Sequence, residues 1–369
     1  MARGSPVRGL GIDLPKARSF ASDITGRKIV PSPIKWTGGK GHPHYVSPLR
    51  EAMQKVGPRR LVDPMVGGAN IPLNLVPGGK ALLADSNPML IAMHNAIKDK
   101  KLDLDWSSFM DEEGMIDTRT FMEDMRGAVP RGRQQKGYDT TWPPKEGSLN
   151  HLLDHLHGRG LPPEEELQAI KLWAMYQNMA WRGIPRMNQR GLANITMNDK
   201  GGFRPTPKWD YKHFAPLMEN YDIHHMPIEQ SMHEMELHPK KDMLMLDPPY
   251  QGELASLAGD EFDLLQKPIA DWAGEFAEEG GPAIAFNSPA AQSLYDDAGF
   301  DTFIGSRPDM SAAHATHRRT KPELIAHANI PGMNEKEWYK RFPKLRIGKA
   351  STQLTLDDAF EKSWPTVIR

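Results

Sequence analysis

Short apolar runs that end in an acid or a glycine, each followed by a segment of helical period, recur in two separate stretches of the chain. In the first, Leu61-Val62 predicts a strand running into Asp63, and Gly67-Gly68 predicts a turn. Ile71 to Leu75 opens a helix-like segment, Ala81-Leu82-Leu83-Ala84 predicts a second strand ending at Asp85, and Met89 to Ile97 is again helical in period. Strand, glycine turn, helix, strand and acid make a βαβ unit. In the second stretch, Met243-Leu244-Met245-Leu246 predicts a buried strand that ends in Asp247-Pro248-Pro249-Tyr250. A helix over roughly Leu264 to Glu278 and a strand over Ala283 to Phe286, ending at Asn287, follow it.

Between these stretches the pattern breaks. Residues 101–236 carry Pro143-Pro144, Pro162-Pro163, many glycines and several tryptophans, with one clear helix from about Glu164 to Trp181. The expected organisation is an α/β domain formed by 31–100 and 237–330 and interrupted by an inserted module at 101–236. A Gly-, Pro-, Ser- and Arg-rich flexible extension at 1–30 precedes it, and a basic, aromatic tail at 331–369 follows. There are no internal repeats.

Composition narrows the class. The chain has 369 residues, 39% hydrophobic and 25% charged, as in an ordinary globular protein. The absence of cysteine excludes disulfides, thiolate chemistry and cysteine-ligated zinc. No apolar run has the length of a membrane span and the first twenty residues lack a signal-type stretch, so a cytoplasmic location is expected. A net charge of −1 argues against a uniformly basic nucleic-acid binder, yet residues 1–60 hold 12 Lys and Arg against 3 Asp and Glu. Further basic clusters run through Arg182, Arg186, Arg190, Lys200, Arg204, Lys208 and Lys212, and through Lys336, Lys340, Arg341, Lys344, Arg346 and Lys349. A near-neutral chain with basic patches suits a DNA enzyme with one positive face; the alternative is solvated surface.

The strongest chemical signal is Asp247-Pro248-Pro249-Tyr250 directly after an apolar strand, because open α/β sheets bind ligands beyond the carboxyl ends of their strands. Two prolines stiffen the turn and remove two donors while their carbonyls stay free. A carboxylate and a neighbouring carbonyl can accept both N–H bonds of an exocyclic amine and free its lone pair for attack. Tyr250 can stack on a base turned out of a duplex. The second signal is Asp63-Pro64-Met65-Val66-Gly67-Gly68, with Asp85 eighteen positions beyond Gly67. Glycines after a first strand admit a cofactor to the backbone, and an acid after the next strand suits ribose hydroxyls. These two features leave NAD and S-adenosylmethionine both open, although no GxGxxG loop is present. The third signal is Lys35-Trp36-Thr37-Gly38-Gly39-Lys40, which lacks P-loop spacing. His42 and His44 around Pro43 read as loop residues, and His151, His155 and His157 as exposed helical ones, so no metal is assigned. The 21 methionines read as core filler.

In combination these segments resemble a known family. Pro33 to Lys40, Asp63 to Gly68, Leu83 to Asn87 and Asp247 to Tyr250 stand in the order found in Dam-type, alpha-class D12 DNA adenine-N6 methyltransferases. Phe262-Asp263, Ile284 to Asn287 and Arg318 to Ile325 extend the match. The resemblance covers roughly residues 31–100 and 170–330. It implies a Rossmann-like S-adenosylmethionine-dependent methyltransferase sheet with an inserted target-recognition domain, acting on double-stranded DNA. It also implies Trp36, Lys40, Asp63, Gly67, Gly68, Asp85 and Asp247 at the cofactor, with Trp36 and Lys40 at its methionine end and Asp85 at the ribose. Asp247, Pro248, Pro249 and Tyr250 form the catalytic turn. The sequence departs from the family at Met65, where an aromatic is usual, and residues 101–165 match nothing in it.

Asn198 to Pro207 resembles the family's DNA-reading hairpin, with Asp199-Lys200-Gly201-Gly202 as its turn. Arg186 to Gly191 fits the same pattern. Arg182, Arg186, Asn188, Arg190, Asn198, Lys200 and Arg204 are the expected DNA contacts, through base edges or through phosphates. Gln353, Leu356 and Phe360 stand at the spacing of sliding-clamp docking peptides; the competing reading is a short packed helix capped near Thr355. Cytosine-N4 transfer and a catalytically idle DNA-binding protein of the same fold are the alternative functions.

Overall fold

The computed structural model describes residues 27–34, 36, 38–117, 121, 146–158, 160–179, 211–250, 260–308 and 320–339. Among them seven strands form one sheet: β1 Arg60–Asp63, β2 Ala81–Asp85, β3 Tyr221–His225, β4 Asp242–Leu246, β5 Ala283–Asn287, β6 Asp301–Pro308 and β7 Thr320–Ala328. Their order is β3-β2-β1-β4-β5-β7-β6. The pairings from β3 across to β5 are parallel, and β7 runs antiparallel to both β5 and β6.

The inner strands read as unbroken apolar runs because both faces are covered. β4 and β5 are buried at all five positions. Alternate residues enter two separate cores. Leu61, Leu83, Met243, Met245, Ile284 and Phe286 join helices α1 (Pro43–Val56), α2 (Asn70–Leu75) and α3 (Pro88–Lys98). Val62, Leu82, Leu244, Leu246 and Ala285 join helices Ile228–Glu234, Gln266–Glu278 and Gln292–Asp297. No helix among the described residues is long and apolar enough to cross a membrane.

The strands and helices expected around residues 61–97 and 243–287 are present within one or two residues of their expected ends. Other elements escape the periodicity. α1 contains Pro43 and Pro48, which read as breakers; Pro43 sits in the first turn, where its missing N–H costs nothing, and His42 caps the helix. β3 has only Tyr221 and Ile223 facing inward, as befits an edge strand, and its polar residues hide it.

The expected boundaries shift accordingly. β3 falls inside the stretch set apart as an insert, yet it pairs with β2 over five residues and belongs to the sheet. Helix Pro163–Met179 of the same stretch buries Trp173 and Tyr176 in the core that also holds α3. At the other ends, Ile29 is buried and Val30 exchanges two hydrogen bonds with Asn74, at 2.9 and 2.8 Å, so the last residues of the expected flexible extension are packed. Trp338 is buried against Phe286 and Phe303, so the body extends past residue 330 into the expected tail.

β1 and β4 are neighbours from which the chain winds outward in opposite directions. That arrangement opens a crevice beyond their carboxyl ends. Asp63 ends β1, Asp85 ends β2 and Asp247 directly follows β4.

Candidate active site

The crevice is floored by two glycine segments packed against each other. Gly67 has φ 50°, a left-handed conformation, and a side chain there would stand 2.8 Å from Trp36 Cδ1. A Cβ on Gly68 would meet the Ile34 carbonyl at 2.9 Å, and one on Gly39 would meet Asn70 Nδ2 at 2.4 Å. Only glycine lets Ile34 and Trp36 lie so close to the turn after β1. Ser32 adds a hydroxyl contact to the Gly68 carbonyl.

The Gly67 peptide is held from both sides. Its N–H donates to Asp85 Oδ2 at 3.0 Å, while Asp85 Oδ1 accepts from the Asn87 N–H at 2.9 Å. Its carbonyl lies 2.8 Å from His94 Nε2. Burial pushes His94 down to about 4, so the ring is neutral and Nε2 carries the proton it donates. Asp85 thus shapes the turn after β1.

At the far wall, Lys40 is 4% exposed and donates to both oxygens of Asp247, at 2.7 and 2.8 Å. Its ammonium lies 5.0–5.5 Å from the ring centres of Tyr45, Tyr250 and Phe286 and 3.7 Å from Glu323 Oε1. Lys40, expected at the methionine end of a cofactor, lines the pocket and directs its charge at Asp247. Glu323, wholly buried on β7, accepts from the Tyr45 hydroxyl at 2.7 Å and from the Tyr250 hydroxyl.

Asp63 lies beside this pair, 2% exposed. Burial, reinforced by the charges of Asp247 and Asp85 and opposed by the Met65 N–H and Lys40, pushes it up to about 8. An unfolded aspartate titrates near 3.9. The folded state therefore keeps a proton that the unfolded chain releases from about pH 4 upward. The associated stability is complete below about pH 4 and is lost as pH rises through about 8. Asp63→Asn is neutral throughout. It should flatten the fall in urea midpoint expected of the parent protein between about pH 4 and about pH 8. Parallel profiles for the two proteins would remove Asp63 as the source.

The Asp247–Tyr250 turn is braced from behind. Gln266 Nε2 donates to the Pro249 carbonyl at 2.8 Å, and Asn287 Nδ2 donates to Gln266 Oε1 at 2.7 Å. Gln266 and Asn287 are almost wholly buried. The expectation that both proline carbonyls stay free is corrected: that of Pro249 is occupied.

Trp36, Lys40, Asp63, Gly67, Gly68 and Asp247 line one pocket, together with Asn70 and Met65. Asp85 lies behind the turn that it holds. His44 is a helix residue rather than a loop residue, and His42, just before α1, caps it: His42 Nδ1 accepts from the His44 N–H at 3.2 Å, and burial pushes each ring down to about 4. His151 and His155 lie on helix Leu149–Gly158 with ring centres 4.2 Å apart, and both are half-buried rather than exposed. Lys35, Thr37, all seven expected DNA contacts and the clamp-like residues 353–360 lie outside the described residues.

Sequence reasoning assigned no role to Glu323, Gln266 or His94. The available signal was polarity out of place: an acid inside Glu323-Leu324-Ile325-Ala326, and a histidine on the apolar face of α3.

No curated protein matches the chain. The family described as D12 class N6 adenine-specific DNA methyltransferase matches residues 36–268. That range contains every pocket residue named above and the whole Asp247–Tyr250 turn, and it spans well over half of the 369 residues. The order of the seven strands and the three acids at their carboxyl ends agree with that match, and the chain belongs to the D12 class of N6 adenine-specific DNA methyltransferases.

Proposed function

We propose that this pocket holds S-adenosylmethionine beside an adenine flipped out of double-stranded DNA, and that the Asp247 turn presents N6 for direct methylation. The observation that carries the reading is the turn itself. It offers a carboxylate and the Pro248 carbonyl at the switch point of the sheet, with the Pro249 carbonyl already taken by Gln266.

The residues present fit the cofactor. The glycine turn exposes backbone where a side chain would collide, and Trp36 lines the pocket beside the carboxyl groups of Asp63 and Asp247. Trp36, Gly67 and Gly68 would hold it, with Asp85 reaching ribose hydroxyls from behind the turn. When bound, S-adenosylmethionine supplies a methyl group on a positively charged sulfur.

The protein's own part is to prepare the amine. N6 is a poor nucleophile because its lone pair is delocalised into the ring. Asp247 and the Pro248 carbonyl accept its two N–H bonds and draw the nitrogen towards tetrahedral geometry. Tyr250 stacks on the base. As the new C–N bond forms, the methyl–sulfur bond would break and leave its electron pair on sulfur as a neutral thioether; N6 becomes cationic and gives a proton to Asp247, which at 20% exposed can pass it to water. Lys40 must release at least one Asp247 oxygen for this to happen, because its ammonium stands where the amine is to bind. Arg182, Arg186, Asn188, Arg190, Asn198, Lys200 and Arg204 are proposed to hold the DNA.

The test is to incubate the purified protein with duplex DNA and S-adenosylmethionine, digest the DNA and identify the modified nucleoside by mass spectrometry. N6-methyladenine is expected. N4-methylcytosine would favour the other amine, and no modified base despite calorimetric cofactor binding would point to an idle protein.

A further inference from the structure

Glu323 belongs neither to the pocket lining nor to the catalytic turn, yet it touches the turn and its cation at once. A carboxylate buried in the middle of a strand is costly unless it is satisfied on all sides. Here one oxygen accepts from the Tyr45 hydroxyl at 2.7 Å, and the other accepts from the Tyr250 hydroxyl with the Lys40 ammonium 3.7 Å away. β7 is fixed in register against both β5 and β6, with Glu323 opposite Gly305 and Leu324 opposite Asn287, so the carboxylate has a rigid mount. Burial, with the Asp247 charge adding to it, raises Glu323 above the usual carboxylate range, and Lys40 and the two tyrosine hydroxyls oppose that rise.

We propose that Glu323 is a positioning residue for methyl transfer, fixing the plane of the Tyr250 ring through its hydroxyl and receiving the Lys40 ammonium when the target amine displaces it from Asp247. Two observations join in this assignment. Tyr250 is 8% exposed and anchored at its hydroxyl end, which sets the orientation of the ring against which the base stacks. Lys40 is held by both Asp247 oxygens and cannot be left without a counter-charge at 4% exposure. Glu323 Oε1 is already within 3.7 Å, so a shift of the ammonium of about one ångström brings it into hydrogen-bond range. The charge that holds Lys40 after release is therefore in place before DNA arrives.

The inference rests on the proposed role of the Asp247 turn, so the first measurement is the parent protein's own product. If no N6-methyladenine forms, that reading fails and this one falls with it. Given an active parent, single-turnover methylation and steady-state constants are measured for the full chain carrying Glu323→Gln, Tyr250→Phe and both. Glu323→Gln should lower the single-turnover rate about tenfold to a hundredfold, the scale for a misplaced reacting group. KM for DNA and the calorimetric Kd for S-adenosylmethionine should stay within about threefold, a split that a general loss of structure would not produce. Tyr250→Phe should show the same split, and the double variant should lose much less than the product of the two single losses. Independent, multiplying losses, or a Tyr250→Phe rate within about twofold of the parent, would overturn the proposal. The Tyr250→Phe result decides alone if Glu323→Gln does not fold.

Discussion

Asp247→Ala is expected to lower methylation by about a thousandfold or more, while S-adenosylmethionine binding stays measurable by calorimetry. Among the described residues the side chain accepts from the Lys40 ammonium. Its removal takes away the carboxylate that is proposed to hold N6 and receive its proton. The turn stays in place, because Gln266 and Asn287 brace it through the Pro249 carbonyl and not through Asp247. Lys40 keeps Glu323 at 3.7 Å as a counter-charge, so the stability loss should fall below the roughly 3–5 kcal/mol seen when a fully buried pair is broken. Circular dichroism and urea titration check that the variant folds. Turnover at the parent rate would remove Asp247 from the chemistry and with it the proposed role of the turn.

The second large effect concerns stability. Trp173→Ala should destabilise the protein by about 3–5 kcal/mol and should do so in a single unfolding transition seen alike by fluorescence and circular dichroism. Trp173 is fully buried on helix Pro163–Met179, in the core shared with Leu83 of β2 and with α3. Removing its indole leaves a cavity in the core that this helix shares with α3. Trp173→Phe should cost much less. It keeps most of the apolar volume and removes an indole N–H with no hydrogen-bond partner among the described residues. An early, separate transition confined to the Trp173→Ala variant would instead make residues 146–179 an independent unit.

The elements legible without a structure are those whose burial is two-sided or whose helical face is wide. β1, β2, β4 and β5 announce themselves as apolar runs, and helix Gln266–Glu278 as a periodic one. The edges are less legible. β3 shows one apolar residue in two and is mixed with histidines, and β6 and β7 carry Arg307, Lys321 and Glu323 among their apolar positions. α1 hides behind two prolines, one of them at a position where a helix tolerates it.

For this protein the amino-acid sequence by itself determined the α/β class, the two glycine segments, the three acids at strand ends and the proline turn, because each is a local pattern: a buried strand, then the residue types its end demands. What only the tertiary structure decided is who faces whom. The Lys40 ammonium, expected only to lie at the cofactor, rests on Asp247, 207 positions away. Glu323 meets Tyr45 and Tyr250 across 278 and 73 positions. Gln266 reaches back to the carbonyl of Pro249, and His94 to that of Gly67. No period or spacing encodes such contacts. They arise because the sheet brings distant strands side by side, and there a buried charge must find its partner wherever the fold has placed it.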